Sequence, residues 1–268
     1  MRFSSLIVIT NILLALAGCV AGAPLQPQGV NPAPVAAAAA PLAADLSPHG
    51  EYLNPAALNL YRLLPPPPEA GSAQERAELD ELLRLQATRT PAEVKRAQQD
   101  ATISVFRFGD ALGSPAAFNP QQLPLTTELF RRVAQAEALF MDTAKDAFGR
   151  PRPFRTELRL SPIVAKPPSA SYPSGHSTWA IASAIVLADM LPERRAQIFA
   201  RADEYAHNRE VGGVHYPSDV AAGHLAGTAL AQQLFNSPRF VGDEGAAAAE
   251  LRQALGLPAR PRQPLNRH

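Results

Sequence analysis

The 268-residue chain has one cysteine, Cys19, which excludes an internal disulfide and any thiolate-built zinc site. It has almost no net charge. Its 25 basic and 24 acidic residues sum to +1, which gives no reason to expect nucleic acid or an anionic membrane surface as a partner. It also lacks internal repeats and any alternating apolar run long enough to build a sheet. What it has in quantity is apolar residue, 46% of the chain, together with 27 prolines gathered near the N-terminus and around residues 151 to 173. That composition supports a real core made of helices joined by stiff connections.

The first residues read as a processing signal. Arg2 precedes an apolar run from Leu6 to Ala17 that is too short for a comfortable membrane span and has the form of a secretory signal. The run ends in LAGC, which resembles the lipobox of bacterial lipoproteins. That motif makes Cys19 the lipidation site and new N-terminus of an exported, periplasmic, membrane-anchored protein. Ordinary cleavage after Ala23 is the other reading, and it leaves Pro24 at the new N-terminus, a poor site. The expected organisation is a signal over 1–18, an Ala/Pro-rich tether over 19–49, a single all-α domain over 50–258 and a tail over 259–268.

Within that domain the periodicity is helical. Ser72 with Glu75, and Thr90 with Glu93 behind Pro91, have the spacing of capping boxes, the second opening a helical stretch, TPAEVKRAQQDATISVFRF, that reads on to Phe108. TTELFRRVAQAEALFMDTAKDAF carries apolar residues at helical intervals and meets a stop at Gly149. HSTWAIASAIVLADM is apolar nearly all round and reads as a central helix, and SDVAAGHLAGTALAQQLF adds small residues that permit close packing. DEGAAAAELRQAL reads as a peripheral last helix, and ERAELDELL as a solvated acidic face. The expectation is a helical bundle.

Three stretches hold chemistry. In KDAFGRPRPF, Lys145 lies in the last turn of a helix and Arg152 is fixed between two prolines. In SYPSGHSTW, Ser174 and Gly175 open an apolar helix whose free N–H groups form a ready anion site, with His176 at its rim. In REVGGVHYPSD, Arg209 ends a helix and His215 precedes the next by one turn. Asp219 can there reach one ring nitrogen of His215 and leave the other free as a nucleophile. Each stretch alone has a plainer reading as a helix cap, a surface charge or a structural His–Asp pair. Together they supply three cations, a helix N-terminus and two histidines, which is what phosphoryl transfer needs.

Lys145-x6-Arg152-Pro153, Pro173-Ser174-Gly175-His176 and Arg209-x5-His215-x3-Asp219 resemble the signature of the type 2 phosphatidic acid phosphatase superfamily. Within it the exported bacterial class A non-specific acid phosphatases are the nearest match, over about residues 52 to 236. The resemblance implies an all-helical fold, a broad range of small phosphate monoesters as substrates, no cofactor and no metal. It implies His215 as nucleophile, Asp219 as its partner and His176 as general acid, with Lys145, Arg152, Ser174, Gly175 and Arg209 binding phosphate. It also implies opposite protonation demands on two histidines whose reference values both lie near ~6.5, hence a bell-shaped pH dependence. Two departures stand out: Asn208 replaces the family's usual Ser, and the loop RTELRLSPIVAKPPSA differs.

The same constellation serves vanadium-dependent haloperoxidases, and the lipid tether fits a lipid phosphate or diphosphate phosphatase; these are the alternative readings. The only membrane association expected is through Cys19, and a homo-oligomer is compatible with the sequence. His207, His224 and Trp179 read as packing residues, and His49 and His268 as parts of the chain ends.

Overall fold

A computed structural model describes residues 52–53, 58–113 and 116–260. The expected signal, Cys19, tether, His49 and His268 lie outside the described residues. Among the described residues there are helices and no strand: α1 (Leu60–Leu63), α2 (Ala73–Thr88), α3 (Pro91–Gln99), α4 (Pro124–Phe148), α5 (Pro153–Thr156), α6 (Gly175–Met190), α7 (Arg195–Val211), α8 (Pro217–Phe235) and α9 (Pro238–Ala254). A 3₁₀ turn at Val105–Phe108 follows α3, and another at Pro192–Arg194 leads into α7.

The centre of the bundle is α6. Trp179, Ala180, Ala182, Ala184, Val186 and Leu187 are buried on all its sides, because α8 and α7 flank it closely and α4 covers a third side. Each large apolar side chain removed from water in this way contributes roughly 1.5–3 kcal/mol. Helix α8 comes close because Gly223 and Gly227 face α6. A Cβ on Gly223 would meet Ser177 Cβ at 2.6 Å and Ser174 O at 2.8 Å, and one on Gly227 would meet Thr178 O at 2.5 Å. Helix α4 presents Leu129, Val133, Ala136, Phe140 and Ala144, a stripe at helical spacing, to the same core. It stops at Gly149, whose φ of 61° is the left-handed cap conformation that glycine adopts freely.

Four features differ from the sequence expectation. Helix α9 is not peripheral: it starts at Pro238 and buries Phe240, Ala247 and Leu251. Its Glu250 carboxylate accepts the Leu125 and Thr126 N–H groups at 2.9 and 2.8 Å, capping α4 where Leu123 has no side-chain cap to offer. The Thr90–Glu93 box is present, but Glu75 reaches past Ser72 to take the Gly71 N–H. The acidic face of α2 is not all solvated, since Glu75 and Glu78 are buried. Helix α3 does not run on toward Phe108; it ends at Gln99, and a turn at 100–102 leads to the 3₁₀ segment.

Candidate active site

Three chain segments meet at the start of α6. The first leaves α4 at Gly149 and runs extended through Arg150 and Arg152 before α5. The second is the Pro173–Ser174 entry to α6, and the third the turn between α7 and α8. They are tied by backbone and side chain: the Ser174 N–H donates to Asp219 O at 3.0 Å, the Ser171 N–H to Arg150 O at 2.8 Å, and Lys145 Nζ to Pro173 O at 2.6 Å. The eight residues singled out from the sequence all converge here.

His215 is buried, with both ring nitrogens engaged. Nδ1 lies 3.2 Å from Asp219 Oδ2, and Nε2 lies 2.8 Å from Arg152 Nη1. The guanidinium only donates and the carboxylate only accepts, so Nδ1 carries the hydrogen and Nε2 a lone pair. Asp219 is held from four directions. Arg150 Nη1 donates to Oδ1, while Ser171 Oγ, the Tyr216 N–H and His215 Nδ1 all donate to Oδ2. Arg150 also pairs with Glu78 at 2.8 Å and stacks its guanidinium 3.7 Å over the Tyr216 ring.

Around His215 two of the cations lack carboxylate partners. Lys145 bonds only carbonyl oxygens, those of Ala170, Ser171 and Pro173. Arg209 is buried, and its Nε and Nη1 have no hydrogen-bond partner. Burial, helped by the neighbouring Arg152, lowers Lys145 to about 8, and burial lowers Arg152 to about 10 and pushes Arg209 down as well. Four cations (Lys145, Arg150, Arg152 and Arg209) thus face two ion-paired carboxylates, Asp219 and Glu78, a surplus that suits a phosphate dianion. Ser174 caps α6, its Oγ accepting the Ser177 N–H and hydroxyl.

His176 stands one residue into α6. Its Nε2 lies 3.0 Å from Ala101 O, and its ring is nearly parallel to that of Tyr205. Burial and then Arg209 push its pKa down to about 3, and burial and then Arg152 push His215 well below the usual histidine value. Two histidines titrating near 6.5 are therefore not what the free protein holds: burial, reinforced by the surrounding cations, keeps both neutral.

Several site residues went unread in the sequence. Arg150 is detectable in principle, because alternate residues of an extended segment face one way and Arg152 lies two residues on. Glu78, Ser171 and Glu137 had no local signal. Glu137 is buried in α4 with Oε1 unpartnered, and that oxygen would lie 2.9 Å from a Cβ on Gly175. Burial raises its pKa to about 8 against the pull of Lys145. A side chain at position 175 would therefore press on the end of Glu137. Asn208 donates its amide to Asp100 at 2.7 Å. His207 is exposed beside Glu210, not packed, whereas Trp179 is a core residue and His224 is half-buried in α8.

A helical bundle whose cation-lined anion site surrounds a His–Asp pair defines a class, and comparison with known proteins gives the same one. Residues 133–242 match the family model of the PAP2 superfamily. A non-specific acid phosphatase of Providencia stuartii is 31% identical over 70% of this chain and 78% of its own. One from Salmonella typhimurium is 28% identical over 68% and 76%, and an acid phosphatase of Zymomonas mobilis 28% over 71% and 75%. The solved structure of a bacterial vanadium-dependent iodoperoxidase superposes with a TM-score of 0.51 at 18% identity, over 66% of this chain and 52% of that one, a likeness of fold alone. The chain belongs to the PAP2 superfamily, near the class A acid phosphatases, and is a phosphoric monoester hydrolase.

Proposed function

We propose that the protein is an exported acid phosphatase that hydrolyses a broad range of phosphate monoesters through a phosphohistidine on His215, without a metal. The observation that carries this reading is the state of His215: Nδ1–H on Asp219 and the Nε2 lone pair on Arg152, with Lys145 and Arg209 near enough to act on the ring. A phosphoryl group seated among those cations and the first N–H groups of α6 lies in front of Nε2, with Arg152 turning from the ring onto a phosphate oxygen. Nε2 then forms a bond to phosphorus, the ester P–O bond breaks, and His176 gives its proton to the leaving oxygen. In the second half water attacks phosphorus, its proton goes to His176, and the P–N bond breaks to release phosphate.

The low pKa of His176 in the free protein fits this cycle. Burial and then three cations depress it, and a bound dianion offsets the cations' share, favouring the protonated general acid as substrate arrives. Export rests on the first 23 residues and lipidation on Cys19; none of the described helices is long and apolar enough to cross a membrane. Mass spectrometry of the mature N-terminus decides between lipidated Cys19 and cleavage after Ala23. The chemistry is tested with purified protein on p-nitrophenyl phosphate and an alkyl phosphate, with and without chelator. Hydrolysis of both that survives chelator and is blocked by vanadate supports the reading; loss of all activity in chelator contradicts it.

A further inference from the structure

We propose that the turn at residues 100–102 is the orienting element of His176, with Asp100 as its positioning residue, so that Nδ1 is the nitrogen through which His176 exchanges its proton. The proposal rests on the phosphatase reading above and assigns a role to residues that none of the three catalytic motifs contains.

The turn is gripped from one face of α7. Arg201 Nη2 donates to Asp100 Oδ1 at 2.5 Å, Asn208 Nδ2 to Asp100 Oδ2 at 2.7 Å, and the Tyr205 hydroxyl to Thr102 O at 3.1 Å. Residues 201, 205 and 208 fall on one side of a helix, so a single rigid surface holds both ends of the turn. Asp100 is fully buried, and a buried carboxylate accepting at both oxygens from fixed donors has one position available to it. Between the two clamped residues, the Ala101 carbonyl points at α6 and meets His176 Nε2 at 3.0 Å.

A carbonyl oxygen only accepts, so Nε2 carries a hydrogen in every protonation state of the ring. The other nitrogen, Nδ1, is then the one that gains and loses a proton. Tyr205 closes the arrangement, its ring lying 6.4 Å from that of His176 at 26°. The helix that delivers Arg209 to the phosphate thereby also sets the angle of the general acid, and Asn208, next to Arg209 in the chain, is one of the three clamps. This gives a reason for Asn208 where the resembled family has Ser: the longer amide reaches Asp100.

The test compares kcat/KM for an alkyl phosphate, which needs a proton on its leaving oxygen, with kcat/KM for p-nitrophenyl phosphate, which does not. Asp100→Asn is expected to lower the alkyl-to-aryl ratio roughly tenfold or more, and Asn208→Ser a few fold, given what a general acid contributes. Inhibition by inorganic phosphate is expected to stay within about twofold, since the cations remain. In a His176→Ala background Asp100→Asn is expected to change the ratio no further, because the route through His176 is already gone. Nitrogen NMR of labelled histidine in the unmutated protein is expected to show His176 protonated at Nε2, a readout that needs no variant to fold and no activity. Equal losses on both esters, an undiminished Asp100→Asn effect without His176, or a proton on Nδ1 with Nε2 bare overturns the proposal. Should the protein hydrolyse neither ester, the phosphatase reading fails, and the NMR result still decides the ring's orientation.

Discussion

The two histidines of the site are held in opposite ways. His215 is fixed by side chains: Asp219 on one nitrogen, Arg152 on the other, and behind them Arg150, Glu78 and Ser171. His176 is fixed by a single backbone carbonyl, that of Ala101. The first arrangement sets charge and tautomer together and suits the proposed nucleophile, which must stay neutral with a lone pair on Nε2. The second sets direction and keeps a hydrogen on Nε2, and it leaves the ring's charge to respond to whatever anion is bound, as the proposed general acid requires. The electrostatic surroundings are shared, since the same cations depress both rings.

That contrast can be broken first by deletion of the rings. His215→Ala is expected to lower kcat/KM on every ester by at least about 10⁴-fold while phosphate still inhibits, because the nucleophile is lost and the cations remain. His176→Ala is expected to cost roughly 10²–10³-fold on alkyl phosphates and much less on p-nitrophenyl phosphate. Steady-state kinetics on the two esters reads both. Equal behaviour of the two variants would remove the distinction between nucleophile and acid.

The next largest effect concerns the ion pairs behind His215. Arg150→Ala leaves Asp219 and Glu78 buried without their shared cation and is expected to reduce stability by about 3–5 kcal/mol. Chemical denaturation measures it; a loss below about 1 kcal/mol would mean that the pairs are not the support of the His215 side. Gly223→Ala comes next. Its new methyl overlaps Ser177 Cβ and Ser174 O, forcing α8 away from the cap of α6, at about 1–3 kcal/mol. The thermal midpoint should fall and phosphate affinity with it, because Ser174 and Asp219 move apart.

The smallest effect is a change of pH dependence. As pH rises through about 8, Lys145 loses its positive charge and Glu137 gains a negative one, and both changes oppose anion binding. Phosphate inhibition is therefore expected to weaken above that pH. Glu137→Gln leaves only the lysine to titrate, so by pH 9 the variant is expected to bind phosphate roughly tenfold more tightly than the unmutated protein. At pH 6, where Glu137 is protonated, the two should agree. Identical profiles across the range would show that the carboxyl does not reach the anion.

The same contrast explains what could be read from the chain alone. The His215 side was legible because its parts have fixed local spacings: four residues from His215 to Asp219 around the start of α8, and Ser174-Gly175-His176 at the start of α6. So was the all-helical bundle, since the stripe of α4 and the small residues of α8 follow a helical period. The supports were not legible. Glu78 lies far along the chain from Arg150 and looked like one more charge on an acidic helix, and Glu137 was a polar position on an otherwise apolar stripe. The turn at 100–102 acts through a main-chain oxygen, and every residue has one. Asn208 is visible as a departure, but its partner Asp100 lies in the distant turn after α3. Local spacing encodes the chemistry, and long-range packing encodes what aims it.

The most direct test of the central claim is to mix the protein with ³²P-labelled ester, stop the reaction within milliseconds without acid, and locate the label. The account predicts an acid-labile, alkali-stable phosphoryl group on His215, absent from His215→Ala and accumulating further in His176→Ala with a good leaving group. Label on Ser174, or no covalent label while substrate is being turned over, would contradict it.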